Sequence, residues 1–240
     1  MKERNPLSIA PECYNKSVPT PYFMETGTAR RPLKTRQAAW ANALARLLVK
    51  WRISPNAISV ASVFFALAGA PALYFSASFA GAERTLLLLA AVLGIQGRLL
   101  CNMLDGMVAI EGGRQTKSGE IFNDLPDRIA DAAIFIGAGY AARQHPFGVE
   151  FGYIAAALAI FTAYVRMLGG ASGLKQSFIG PMAKQHRMAA LTVACVLSIL
   201  ETRFVAAGSV LWAALIVIIL GCLVTMWRRT ARIARELESR

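Results

Sequence analysis

Apolar residues in this chain come in long uncharged runs, not in the short alternations of a soluble domain. No charge occurs from Ile53 to Ala82. That run is long enough for a membrane-crossing helix near 56–78, with Pro55 in its first turn. A second helix is predicted from about 85 to 110, interrupted by Arg98 and Asp105. A third runs from Gly119 to Ala142 with a polar first half, and a fourth covers 150–168 and ends with Arg166. The fifth has a short apolar run, Met188–Leu200, so it is expected to begin upstream. The sixth, Phe204–Trp227, is uncharged and stops at Arg228 and Arg229. Ahead of these, Trp40, Leu44, Leu47, Leu48 and Trp51 share one helical face, while Lys34, Arg36, Arg46, Lys50 and Arg52 add charge. This predicts an amphipathic juxtamembrane helix over 33–52, either lying in the interface or packed on the protein's own inner face. The expectation is an all-α integral membrane protein with six transmembrane helices in a domain spanning 53–228. Residues 1–32, rich in Pro, Ser, Thr and Asn without periodicity, read as a flexible cytoplasmic tail, and 229–240 as a basic one.

Composition agrees. Of 240 residues, 55% are hydrophobic and 17% charged, a polytopic membrane profile. The net charge of +12 is read as contact with an anionic membrane surface and not with nucleic acid, because the basic residues flank apolar segments. The inner connections carry Arg114, Lys117, Arg128, Lys175, Lys184 and Arg187, the outer ones only Arg84, Arg143 and Arg203. This bias places both termini in the cytoplasm, in a multi-pass protein of the cell (inner) membrane. The cysteines Cys13, Cys101, Cys195 and Cys222 have no paired spacing and read as packing residues.

The chemistry concentrates in residues 102–131, where two apolar segments meet. Ionisable groups at membrane depth are expensive and mark functional sites. Asn102 and Asp105 lie three apart near the end of the second span; Asn123, Asp127 and Asp131 are spaced by four, with Asp124 three before Asp127. Each set shares a helical face. Joined by a turn around Glu111–Ser118, the two stripes can face one another. Their carboxylates would then repel unless a cation sits between them. Clustered oxygen ligands suit a hard divalent cation and a phosphate-bearing ligand. Gly106 and Ala109 leave room for a bulky ligand near the backbone, or alternatively for close helix packing.

This stretch resembles the signature of the CDP-alcohol phosphotransferase family, D-x-x-D-G-x-x-A-R followed after eight or nine residues by G-x-x-x-D-x-x-x-D. Here that spacing gives Asn102, Asp105, Gly106, Ala109, Ile110, then Gly119, Asn123 and Asp127. Ser54-Pro55-Asn56 opening the first span, Tyr164-Val165-Arg166 closing the fourth, and the basic segment after it are also similar to the family. Two signature aspartates are asparagine here, and the arginine is Ile110.

The resemblance implies a CDP-activated lipid, CDP-diacylglycerol in most members, whose phosphatidyl group passes to an alcohol with release of CMP in phospholipid biosynthesis. It implies a Mg²⁺ or Mn²⁺ cofactor held by Asn102, Asp105, Asn123, Asp124 and Asp127, and Asp127 as the base, with Asp131 in reserve. Nucleotide contacts fall to Asn56, Asp105, Gly106, Ala109 and Gly119. Phosphate or acceptor contacts fall to Arg98, Arg114, Arg166, Lys184 and Arg187, of which Lys184 and Arg187 are read equally as positive-inside anchors. Asp124, Asp131 and Glu120 are candidates to compensate for the missing aspartates, and Arg98 or Arg114 for the missing arginine. The resemblance also implies a homodimer. Two alternatives stand: a catalytically inactive CDP-lipid-binding homologue, and a transporter, which the clustering of charge at one membrane face opposes. The acceptor alcohol is not named by the sequence.

Overall fold

The computed structural model of the chain describes residues 38–113 and 119–240. The expected tail over 1–32, the start of the 33–52 segment, Arg114 and Lys117, most of the 111–118 turn and the side chain of Glu120 lie outside the described residues. The described secondary structure is entirely helical: α1 (Ala39–Lys50), α2 (Pro55–Ser76), α3 (Gly81–Glu111), α4 (Gly119–Ala141), α5 (Gly148–Ala171), α6 (Lys184–Ser198) and α7 (Ser209–Glu238).

Local chemistry sets the boundaries. Ser54 caps α2, its Oγ accepting from the Ala57 N–H at 3.1 Å, and Pro55 occupies the first turn, where its missing N–H costs nothing. α6 begins at Lys184, upstream of its apolar run, as expected. α7 departs from expectation at both ends. It starts at Ser209 and not at Phe204, because Glu201–Arg203 forms a 3₁₀ turn and Gly208 turns the chain with φ +86°. A Cβ at Gly208 would also lie 2.8 Å from the Ala141 carbonyl oxygen. α7 then continues to Glu238, so most of the segment read as a basic tail is helix.

Four helices, α2, α3, α5 and α7, are long and apolar enough to cross a membrane. α4 has the length, at 23 residues, but carries Asp124, Asp127, Arg128 and Asp131, and α6 has only 15 residues. Large apolar side chains such as Phe64, Leu86, Leu93 and Leu220 point outward, as on a lipid-facing surface.

α2 packs along both α3 and α4; α4 packs on α5, α5 on α7, α7 on α6, and α6 on α3. Small residues permit this. A Cβ on Gly94 of α3 would stand 2.7 Å from the Gly69 Cα and the Phe65 carbonyl oxygen of α2, and Gly139 of α4 meets Gly152 of α5 as tightly. Such contacts let helix backbones approach where apolar burial gives little drive. Leu73, Leu88, Ile95, Ile134, Phe135, Leu191, Leu211 and Ile218 fill the core. α1 lies on α3 through Ala41, Ala45, Leu44 and Leu48, next to Met103, Met107 and Val108, while Trp40, Leu47 and Trp51 stay exposed. Part of its apolar face therefore packs on the protein itself, and part of it does not.

Candidate functional site

Polar residues gather where α2, α4 and α6 begin and α3 and α5 end. α3 and α4 hardly touch along their backbones; long polar side chains bridge them. Asn102 of α3 donates through Nδ2 to Asp127 Oδ1 of α4 at 2.5 Å. Arg98, one turn earlier on α3 and fully buried, donates to Asp127 Oδ1 and to the Asp127 carbonyl, each at 3.3 Å. It also pairs with Asp131. The Lys184 ammonium, from the first turn of α6, sits on Asp127 Oδ2. Asp131 is closed in from the other side by Arg187 at 3.3 Å, which in turn donates to Thr162 Oγ1 at 2.9 Å and the Met182 carbonyl at 3.0 Å. Asp124, half-exposed, takes Arg166 at 2.7 Å and Arg128 at 3.3 Å. Arg166 also lies over the Phe178 ring, 5.6 Å from its centroid.

Asp105 differs from these. It is buried, yet its hydrogen-bond partners are neutral: Ser59 Oγ donates to Oδ2 at 2.7 Å and the Gly106 N–H to Oδ1 at 2.5 Å. Pro126 interrupts the acidic run of α4 and removes one helical hydrogen bond there.

The two stripes read from the sequence therefore meet, through Asn102 and Asp127. Asn123 is exposed and joins none of these hydrogen bonds or ion pairs. Asn56 is half-buried in the first turn of α2, one turn before Ser59; Gly106 and Ala109 are half-buried on α3, and Gly119 opens α4. Arg98 and Arg187 lie beneath the cluster and are enclosed, whereas Arg166 and Lys184 retain some exposure. The carboxylate repulsion anticipated from the sequence is relieved mainly by Arg98, Lys184 and Arg187 within the chain. Sequence reasoning missed Ser59, whose signal is a hydroxyl three residues after Asn56 on one polar stripe of an otherwise apolar helix. It also missed Thr162, which nothing local distinguishes.

For a divalent ion the donor set is small. Among the described residues no three His, Cys, Asp or Glu side chains form a ready-made cage. Asp105, Asp127 and the Asn102 amide oxygen still provide hard oxygen donors on facing helices. These fit one Mg²⁺- or Mn²⁺-type ion completed by ligand phosphates and water.

No protein-family model matches the chain, and no curated protein matches its sequence. Solved structures do match in fold. Phosphatidylinositol phosphate synthase of Mycobacterium tuberculosis in complex with manganese and citrate aligns with TM-score 0.67 and 21% identity, covering 80% of this chain and 88% of that one. The same enzyme with CDP-DAG bound gives TM-score 0.67 and 22% identity, covering 82% and 94%. Its apo form gives 0.63 and 22%, covering 79% and 93%. At this identity the likeness is one of fold: this chain is built as that synthase is.

Proposed function

We propose that this chain transfers a phosphatidyl group from a CDP-activated lipid, CDP-diacylglycerol in the first instance, to an alcohol, releasing CMP, in phospholipid biosynthesis. The carrying observation is the contact of Asn102 with Asp127, three residues along α3 from the buried Asp105, at one end of a fold shared with a synthase that has been solved with CDP-DAG and with manganese. The proposal includes six spans, with α4 and α6 crossing beside the four apolar helices, both termini in the cytoplasm of a cell membrane, and a homodimer.

Asp127 is the proposed base. One of its carboxylate oxygens takes the proton of the acceptor hydroxyl, while Asn102 and Arg98 hold the carboxylate in place. The alcohol oxygen forms a bond to the lipid-side phosphorus, the phosphoanhydride bond to CMP breaks, and CMP leaves with those electrons. Asp131, enclosed by Arg98 and Arg187, orients this layer from below. Asp105, oriented by Ser59, is the main charged metal ligand, joined by Asn102 and Asp127. Asn123 and Asp124 stand further out. A bound divalent ion supplies neutralisation of the pyrophosphate. Asn56, Gly106, Ala109 and Gly119 border the space proposed for the nucleotide, and Lys184 and Arg166 are the cations best exposed to take phosphate oxygens.

A second reading, a CDP-lipid-binding protein without turnover, is favoured by one observation: Asp127 is already paired with Lys184. Purified protein given CDP-diacylglycerol, Mn²⁺ and a panel of alcohols separates the two. Glycerol 3-phosphate, serine, inositol and inositol phosphate form that panel. Acceptor-dependent release of CMP is expected; nucleotide binding without CMP release across the panel would overturn the transferase reading.

A further inference from the structure

We propose that Lys184 is a resident cation of this site, occupying Asp127 Oδ2, so that the chain loads a single Mg²⁺ or Mn²⁺ ion, anchored at Asp105. The inference rests on the reading of this site as metal-loaded and deepens it.

The argument is one of charge and place. Asp105, Asp127 and Asp131 face Arg98, Lys184 and Arg187, so the inner cluster is balanced without any ion. The balance is uneven in space. Every cation of the inner cluster lies on Asp127 or Asp131. Among the described residues Asp105 has only a hydroxyl and a backbone N–H as hydrogen-bond partners. An incoming divalent ion meets a carboxylate without a paired cation at Asp105. At the far side of Asp127 it meets the Lys184 ammonium and the Arg98 guanidinium, and like charges at such range repel strongly in a partly dry site.

Lys184 is also placed to serve a ligand. Its side chain is 26% exposed while the Asp127 carboxylate it touches is 5% exposed, so the lysine is the more accessible member of the pair. Behind it, Arg98 keeps Nε and Nη1 without a partner among the described residues, although the side chain is fully buried. Such donors are costly unless something uses them. With an ion held at Asp105, Lys184 would be the cation of the cluster placed to take a phosphate oxygen of the same ligand. Asparagine in place of a carboxylate at 102 follows from the same logic. With Lys184 fixed on Asp127, an amide donates to that carboxylate where an aspartate would repel it.

The test counts ions directly, without turnover. Full-length protein in lipid nanodiscs is titrated with Mn²⁺ alone, then with CDP-diacylglycerol present, and bound Mn²⁺ is measured by electron paramagnetic resonance. One ion per chain is expected in the wild type, and none in Asp105→Asn. In Lys184→Met, affinity should rise about tenfold or a second ion should appear, since a nearby positive charge is gone. Lys184→Arg should keep one ion at wild-type affinity. Two ions or none in the wild type would overturn the inference. So would an ion retained by Asp105→Asn, or Lys184→Met with unchanged count and affinity. If Lys184→Met does not fold, the wild-type count and Asp105→Asn decide alone. One bound ion in a protein that releases no CMP would support this inference while overturning the transferase reading.

Discussion

Asn102 donates its side-chain amide to Asp127 Oδ1 at 2.5 Å, across the gap between α3 and α4. The contact works because one partner is neutral. Replacing Asn102 with Asp sets two carboxylates against each other, at a cost of roughly 4 kcal/mol for close unit charges at an effective dielectric near 20. Asn102→Asp, alone or with Asn123→Asp, should therefore melt lower than wild type in chelator. With millimolar Mn²⁺ it should bind the ion more tightly, by about tenfold, and recover stability. Thermal melts with EDTA and with Mn²⁺ check both halves. Equal melting temperatures in EDTA would show that Asn102 and Asp127 are not in contact.

The three inner carboxylates should fail in different ways. Asp105→Asn and Asp127→Asn should each abolish CMP release, by at least about a hundredfold, as expected for a charged metal ligand and a base. Asp131→Asn should instead lower stability by about 3 kcal/mol, because it leaves Arg98 and Arg187 buried beside a neutral group. CMP release and denaturant melts on the three variants distinguish the cases. Near-normal turnover in Asp127→Asn would move the base to another residue.

Much of this arrangement was legible in the sequence, and the missing part has a common cause. Apolar runs located α2, α3 and α5 to within a few residues, since length and hydropathy act locally. The three- and four-residue spacings put Asn102 and Asp127 on facing stripes. The far end of α7 was not legible, because its last turns mix Arg229, Arg232, Arg235, Glu236 and Glu238 and read as polar although they are helical. Nor was the pairing of Ser59 with Asp105 or Arg187 with Asp131, whose partners stand 46 and 56 positions apart. Periodicity says which face a residue occupies, not which helix that face will meet.

Chelation gives a direct test of the ion's part. Turnover should stop in excess EDTA and return with Mg²⁺ or Mn²⁺, because Arg98, Lys184 and Arg187 are largely occupied by Asp127 and Asp131 and none of them forms an ion pair with Asp105. The fold itself should persist in EDTA, since those same pairs balance the inner cluster. Acceptor-dependent CMP release and circular dichroism, measured side by side, check this. Undiminished release in EDTA would remove the ion from the reaction.

The six-span reading predicts a cytoplasmic C-terminus. Arg228, Arg232 and Arg235 follow the apolar part of α7, as the positive-inside bias requires for its cytoplasmic end. α4 and α6 cross in this reading despite their charges and short length. Reporter fusions after residue 240 should report the cytoplasmic side. An external reporter would mean that an odd number of helices cross between a cytoplasmic N-terminus and this end.

At the opposite end of the helices another buried ion pair should matter for stability alone. Glu201 takes Arg84 on Oε1 together with the Gly208 N–H at 2.6 Å; its Oε2 accepts from the Val210 N–H at 2.9 Å and from Ser198 Oγ at 3.3 Å. The carboxylate thus caps the start of α7 and ties it to α3, in the place where a helix N-terminus favours negative charge. Glu201→Ala should lower stability by about 3–5 kcal/mol, because Arg84 is left buried with only the Ser198 carbonyl at 2.6 Å. The double variant Arg84→Met with Glu201→Leu should lose less than Glu201→Ala, since it removes the uncompensated charge along with the pair. In both, Mn²⁺ affinity and CMP release per folded molecule should match the wild type, because no residue of this pair contacts the Asp105–Asp127 cluster. Denaturant melts with a double-mutant cycle measure the coupling, and the Mn²⁺ titration serves as the control. A change in metal affinity at this distance would mean that the two ends of α3 are coupled, and that Glu201 does more than hold α7 in place.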